Sequence, residues 1–322
     1  MKAIVQDHYG SAEGLRLAEV DRPVIRDGEV LIRVRAAGVN PADWAMMSGL
    51  PYIARPAYGL RTPHTAVRGT DVAGEVEAVG ANVTRFRPGD EVFGWCIGAF
   101  AEYACAREDA LELRPANLTF EEAAAVPMAG LVALQALRDQ GRLQAGQKVL
   151  INGASGGIGT FAVQIAKVLG AHVTGVCRTS NVDLVRSIGA DQVIDYTQVD
   201  FTTSDERYDF ILDNVGNHSL SSLRSVLAPT GTLVPNGGAF ENHWLAGGGR
   251  VISALVLSRF VSQNLRPFLL SPNQRDLAAL RELLVAGAVR PVIERTYRLS
   301  ETALAMDHVG AGHTRGKVAI AV

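Results

Sequence analysis

The sequence predicts an α/β protein in two parts: a β-rich first part, then a doubly wound parallel sheet. Three observations predict it. The apolar run 148–151 leads into Asn152-Gly153-Ala154-Ser155-Gly156-Gly157-Ile158-Gly159 and then a helical run, 160–169, closed by Gly170. Strand, tight glycine turn and helix together form the setting in which a backbone approaches a pyrophosphate. Beyond it, strand-like runs alternate with helical ones, the pattern of βαβ units. Before it, many short β-type runs are punctuated by turns such as Asp27-Gly28 and Pro88-Gly89-Asp90, which points to a barrel or sandwich.

In chain order, the first strands are expected at residues 2–6, 15–20 and 29–36, then at 71–79, 90–93, 100–106 and 111–113. Residues 46–68 carry Pro51, Pro56, Gly59 and Pro63 and read as a long irregular loop. Thr119 and Glu122 have the Thr-x-x-Glu spacing of a capping box, so a helix starts there. The sheet strands of the second part are expected at 148–151, 172–177, 192–196, 208–213 and 232–234, with a helix at 181–188. Gly247-Gly248-Gly249 reads as a joint, followed by the apolar stretch 250–260. Asn273 is placed to cap a helix that Gly287 ends, and a helix near 301–308 precedes a closing strand from Gly316. The domains are expected at 1–122, completed by 265–322, and at 123–264.

The 322 residues suffice for two domains, and 48% apolar with 20% charged residues describes a globular chain with ample core. A net charge of −2 gives no electrostatic reason to expect nucleic acid or an anionic membrane. No apolar run reaches membrane-spanning length, and Met1-Lys2-Ala3-Ile4-Val5 opens directly on a strand. Cys96, Cys105 and Cys177 are scattered, which suits a reducing cytoplasm better than a disulfide framework. The Cys and His residues show no ligand spacing, so no metal site is expected.

Several segments together resemble the medium-chain dehydrogenase/reductase superfamily, in its zinc-independent quinone oxidoreductase branch. They are Ala37-Gly38-Val39-Asn40-Pro41-Ala42-Asp43, Gly69-Thr70-Asp71-Val72-Ala73-Gly74, Pro88 to Gly94, Gly98 to Tyr103, Gly153 to Gly159, Gly189-Ala190-Asp191 with Val193 to Tyr196, and Gly316-Lys317-Val318. Ala99 departs from the family's usual second glycine. The resemblance implies a GroES-like β-rich catalytic domain and a Rossmann domain. In zinc-dependent relatives the ligands fall where this chain has Asn40, Thr70 and Met128. Those side chains supply neither thiolate nor imidazole, so hydride chemistry without a metal is implied.

Asn40, Asp43 and Tyr52 resemble the family's active-site residues. Asn40 would hold a substrate oxygen or the nicotinamide ribose, Asp43 would orient its neighbours, and the Tyr52 phenol would hydrogen-bond or protonate a developing enolate. As residues alone, Asn40 and Asp43 also suit a turn, and Tyr52 equally suits packing. Val132 stands where relatives often carry a threonine. Main-chain N–H groups of Ser155, Gly156, Gly157 and Ile158 would cradle the pyrophosphate. After the second sheet strand comes Arg178 rather than an acid, a charge suited to a 2′-phosphate. Tyr196 resembles the residue that flanks this phosphate. Ser180 and Asn181 suit helix capping. Asn214, Val215, Gly237 and Gly238 sit at strand ends that face a cofactor, and Asn273 and Lys317 resemble positions that close over it, although Lys317 equally suits a surface ion pair.

The expected protein is therefore an NADPH-dependent reductase of quinones or enones, with the cofactor between its domains. The alternatives are an enoyl-thioester reductase, or a cofactor-binding structural or regulatory protein with little turnover. A homodimer is expected, formed through the apolar stretch 250–260 at an exposed sheet edge.

Overall fold

The computed structural model describes residues 1–236, 244 and 248–322. Its contacts divide the chain into two units. Unit 1 is Met1–Leu131, Pro272–Gly287 and Pro291–Val322, and unit 2 is Val132–Ser271 and Ala288–Arg290.

In unit 1, β1 (Lys2–Val5) pairs antiparallel with β2 (Arg16–Glu19). The long β3 (Glu29–Val39) is followed by α1 (Pro41–Ser48), α2 (Arg55–Tyr58), β4 (Asp71–Val79), β5 (Glu91–Trp95), β6 (Tyr103–Arg107) and β7 (Leu111–Leu113). The loop expected over 46–68 is partly built: a 3₁₀ turn at Tyr52–Ala54 runs into α2. Arg55 Nε then donates to the Gly49 carbonyl at 3.0 Å and the Tyr9 hydroxyl to the Gly59 carbonyl at 2.6 Å. Helix α3 (Phe120–Ala124) starts where the capping box predicts, Thr119 Oγ accepting from the Glu122 amide at 3.2 Å and Glu122 from the Thr119 amide at 2.8 Å. Helix α4 (Pro127–Leu134) runs on as a π-helical turn, Gln135–Gln140.

Unit 2 continues with β8 (Lys148–Asn152), α5 (Gly157–Val168), β9 (His172–Cys177), α6 (Val182–Ser187), β10 (Gln192–Asp195), β11 (Tyr208–Asp213), α7 (Leu220–Ser225), β12 (Leu227–Pro235), α8 (Gly248–Leu257) and β13 (Asn264–Leu265). The strands lie parallel in the order β10-β9-β8-β11-β12-β13. This is the doubly wound order, and it reverses between β8 and β11, where such sheets bind ligands at the strands' carboxyl ends. Residues 264–265 extend this sheet, so the contact boundary falls after Ser271 and not after 264.

The chain then returns to unit 1 through α9 (Gln274–Val285), β14 (Ile293–Arg298), α10 (Thr302–Gly310) and β15 (Lys317–Ala321). Strand β15 joins the large sheet of unit 1, whose order is β14-β15-β3-β4-β5-β7, with β6 also on β3. Buried apolar side chains from β3, β4, β5, α10 and β15 fill one core there, including Ile32, Val72, Val92, Met306 and Ile320.

The apolar stretch 250–260 is a correction to the sequence reading. Most of it forms helix α8, and the sheet edge is taken by the two-residue β13. Ala254 packs into the core while Ile252, Leu255 and Val256 stay exposed. The 3.6-residue period, not a strand period, sorted these side chains.

Candidate active site

Three strand ends converge in unit 1. β3 runs antiparallel to both neighbours, with Gly38 opposite Asp71 of β4 and Val39 opposite Val318 of β15. The end of β3 therefore meets the starts of β4 and β15, which brings Asn40, Thr70, Asp71 and Lys317 together. Asn40 is the N-cap of α1, and Asp43 Oδ2 reaches back to accept from its amide at 2.8 Å. The Asn40 side chain is used elsewhere. Its Nδ2 donates to Asp71 Oδ2 at 3.0 Å and lies 3.5 Å from Thr70 Oγ, and its Oδ1 accepts from the Lys317 ammonium. Lys317 also donates to the Val39 carbonyl at 3.1 Å and stands 4.0 Å from Asp71. The Thr70 hydroxyl donates to Asp43 Oδ1 at 3.0 Å. The Met128 amide, in the first turn of α4 where helical partners are lacking, donates to both Asp71 oxygens at 3.3 Å.

Asn40, Asp43, Asp71 and Lys317 are all buried, and Thr70 is the partly exposed member. Burial pushes the Asp43 carboxyl up to about 6 and that of Asp71 up to about 7, against the pull of Lys317 and the hydrogen bonds. The same burial lowers Lys317, while the two carboxylates raise it. The Cys96 thiol is pushed up by burial and by both carboxylates, so it is no nucleophile.

In unit 2 the glycine turn joins β8 to α5. Gly153 sits at φ +77°, and a Cβ on Gly159 would lie 2.1 Å from the Gly153 carbonyl oxygen. Strand and helix thus pack backbone to backbone. The Gly156 amide bonds to Gly153 O at 3.1 Å and its carbonyl opens the helix, which corrects its expected part. Gly156 caps the turn, and Gly157 and Ile158 open the first turn of α5, where amides lack helical partners. Asn181 is a second correction. It makes no capping bond, and its Nδ2 instead donates to Ser155 Oγ at 3.0 Å from a buried position.

Arg178, exposed, follows β9, and the Tyr196 amide donates to the Cys177 carbonyl at 3.1 Å, so the two residues share one corner of the sheet. Among the described residues Arg178 has no ion pair. At the switch point Asn152 Nδ2 donates to Asp213 Oδ1 at 2.8 Å. Asp213 Oδ1 also accepts from the Val215 amide at 3.3 Å and the Gly216 amide at 3.1 Å, and Asp213 Oδ2 from Arg250. Arg250 fixes the same loop through the Gly216 carbonyl at 3.1 Å and the His218 carbonyl at 2.6 Å. Asn214 Oδ1 accepts from Asn236 at 2.9 Å, and its buried Nδ2 has no partner among the described residues. An orphaned buried donor beside a glycine cradle suits an acceptor on a bound nucleotide.

The other expected site residues fall as follows. Tyr52 is 36% exposed, with the Arg55 guanidinium 4.6 Å from its ring. Asn273 caps α9, accepting from the Asp276 amide at 3.0 Å. Lys317 is buried among Asn40 and Asp71, so the surface ion pair is excluded. Val215 is exposed. Gly237 and Gly238 lie outside the described residues. The sequence reading gave no role to Asp213, Asn236 or Arg250, and saw Thr70 and Asp71 only as a place where zinc donors were lacking. For Asp213 the signal is the acid at the end of an apolar strand. For Arg250 it is a lone charge heading an apolar helix.

A glycine cradle at a parallel-sheet switch point, and a buried acid–lysine cluster on a β-rich unit, define a nucleotide-dependent oxidoreductase of the two-unit kind. Residues 26–116 match the alcohol dehydrogenase GroES-like domain, and residues 188–320 match the family described as zinc-binding dehydrogenase. The chain is 33% identical over 334 residues to the chloroplast envelope quinone oxidoreductase homolog of Arabidopsis thaliana, covering 99% of this chain and 98% of that one. It is 37% identical over 358 residues to the human mitochondrial NAD(P)H oxidoreductase RTN4IP1, covering 100% and 89%. Among solved structures, the quinone oxidoreductase of Coxiella burnetii superposes with TM-score 0.88 at 31% identity, over 100% and 99% of the chains. The chain belongs to the medium-chain dehydrogenase/reductase superfamily, in its quinone oxidoreductase branch.

The zinc of that family description does not fit these residues. Asn40 is engaged by Lys317 and Asp71, Thr70 donates to Asp43, and Met128 gives the cluster its amide. The chain's own ammonium supplies the positive charge. The glycine turn and the orphaned Asn214 donor do suit a nicotinamide dinucleotide.

Proposed function

We propose that the protein is an NADPH-dependent, zinc-independent reductase of quinones or α,β-unsaturated carbonyls. The observation that carries this reading is the buried cluster around Asn40, in which the Lys317 ammonium bonds the Asn40 side chain. Oxidising an alcohol needs a device that stabilises an alkoxide, and a metal commonly serves. Quinones and enones are already electrophilic, so a positioned donor suffices. NADPH, when bound, supplies the hydride. Ser155, Gly157 and Ile158 would hold the pyrophosphate, Arg178 and Tyr196 the 2′-phosphate, and Asn214 and Val215 the nicotinamide half. Asp43 orients Thr70, and Lys317 and Asp71 hold the Asn40 amide in one orientation, so Asn40 acts as a frame. Tyr52 forms part of the substrate's surroundings. The relatives' names as quinone and NAD(P)H oxidoreductases support the same substrate class.

The test is turnover of NADPH with a panel of quinones and enones. Oxidation of cofactor by any of them supports the reading, and binding without oxidation by all of them sinks it in favour of a cofactor-binding protein with little turnover. An enoyl-thioester in the same panel, reduced faster than every quinone, would favour the enoyl reductase.

Cofactor choice is a separate prediction. A charge-assisted contact from Arg178 is worth about ten- to a hundredfold in affinity. Arg178→Ala should raise the NADPH dissociation constant by that factor and leave NADH within about twofold. Equal affinities for both cofactors in the wild type would refute it.

No helix among the described residues is long and apolar enough to cross a membrane. The cysteines are free thiols, which suits the cytoplasm. A homodimer is proposed through the exposed apolar face of α8, Ile252, Leu255 and Val256, in place of the strand pairing first expected. Sedimentation at micromolar concentration should show twice the 34.3 kDa chain, and Leu255→Glu should shift it to the monomer. A monomeric wild type rules this out.

A further inference from the structure

We infer that Thr70 is the residue that hands the proton to the reduced substrate, and that Asp43 reloads it. This rests on the proposed reductase reading and names its proton donor. Asp71 is surrounded by groups that only donate: Asn40 Nδ2 at 3.0 Å, the Met128 amide at 3.3 Å and the Lys317 ammonium at 4.0 Å. None of these can take a proton from a carboxyl, so Asp71, although burial lifts it to about 7, has no partner to which it could pass a proton. Asp43 differs. Its Oδ2 faces the Asn40 amide, again a pure donor, but its Oδ1 faces the Thr70 hydroxyl at 3.0 Å. A hydroxyl both donates and accepts. A proton on Asp43 therefore sits on Oδ1, and the Thr70 hydrogen then turns away from it.

Thr70 is also the one member of the cluster that is partly exposed. The Asn40 side chain is turned into the cluster, its Oδ1 on Lys317 and its Nδ2 on Asp71 and, at 3.5 Å, on Thr70 Oγ. The acid form of Asp43 is available near neutrality, since burial lifts it to about 6. The ionisable groups that face it are Lys317, Asp71, Arg68 and Cys96.

Hydride addition leaves two electrons on the substrate, as an enolate or hydroquinone anion, and the cofactor is oxidised to NADP⁺. The Thr70 O–H bond breaks and a substrate O–H bond forms. The Asp43 Oδ1–H bond breaks and restores the Thr70 hydroxyl. Asp43, now a carboxylate, regains a proton from water between turnovers.

The test compares wild type, Thr70→Val, Thr70→Ser and Asp43→Asn in kcat, KM, NADPH dissociation constant, solvent deuterium isotope effect and pH profile. General acid catalysis is worth about a hundredfold or more, so Thr70→Val should lose about that much in kcat. Its KM and NADPH binding should hold, and Thr70→Ser should restore most of the rate. Wild-type kcat should fall as pH rises through about 6, where Asp43 loses its proton, and Asp43→Asn should lose that limb together with the rate. Should Thr70→Val not fold, Asp43→Asn decides: full kcat with the limb intact overturns the relay. A Thr70→Val enzyme that folds and matches wild type in rate and pH profile overturns it while leaving the reductase reading in place. A wild type that oxidises no NADPH with any acceptor overturns both.

Discussion

Lys317→Met is expected to destabilise the protein by about 3–5 kcal/mol, the range for breaking a buried charge cluster by removing one partner. Methionine keeps the bulk of the stem and deletes the ammonium. The Val39 carbonyl and Asn40 Oδ1 then lose their donor, and Asp71 and Asp43 remain buried without their cation. Urea denaturation followed at unit 1 tryptophans such as Trp44 reads this directly. Asp71→Asn in the same chain should recover part of the loss, because it removes one of the stranded charges while still accepting from Met128. A loss below about 1 kcal/mol would place Lys317 among surface ion pairs and contradict its burial.

Gly159→Ala is expected to weaken NADPH binding by about a hundredfold or more. The added Cβ would stand 2.1 Å from the Gly153 carbonyl oxygen and 2.8 Å from the Ala154 Cα, both backbone atoms that cannot swing aside. The start of α5 must retreat from β8, and the amides of Gly157 and Ile158 move with it. Displacing binding groups by about 1 Å commonly costs a hundredfold. Fluorescence quenching by NADPH measures the affinity. Wild-type affinity in a folded Gly159→Ala protein would show that the phosphates are held elsewhere. Gly156→Ala is the control, since a Cβ there meets nothing closer than 3.5 Å.

Much of this protein was legible one-dimensionally. The strand–glycine–helix turn, the Thr119 capping box and the Asn273 cap depend on residues within a few positions of one another, where spacing alone sets the hydrogen bonds. The lack of zinc donors at Asn40, Thr70 and Met128 was legible too, because it is a matter of residue type. The acid missing after β9, and Arg178 in its place, belong with these.

What tertiary structure decided was which distant residues share a burial site. Lys317 and Asn40 are 277 positions apart, and only the register of β15 on β3 puts the ammonium against the amide. Sequence offered Lys317 a surface ion pair or a place over the cofactor, because a lysine's charge says nothing about where its strand docks. The same holds for Arg250, whose partner Asp213 lies on another element. Residues 250–260 carry apolar side chains that serve a helix or an edge strand equally well, and packing of Ala254 against the sheet core chose the helix. Asn181 reads locally as a cap, yet the close approach of β8 and β9 offers it Ser155 instead. Local pattern fixes an element, whereas the partners of a buried polar group are fixed by the strands that bring them together.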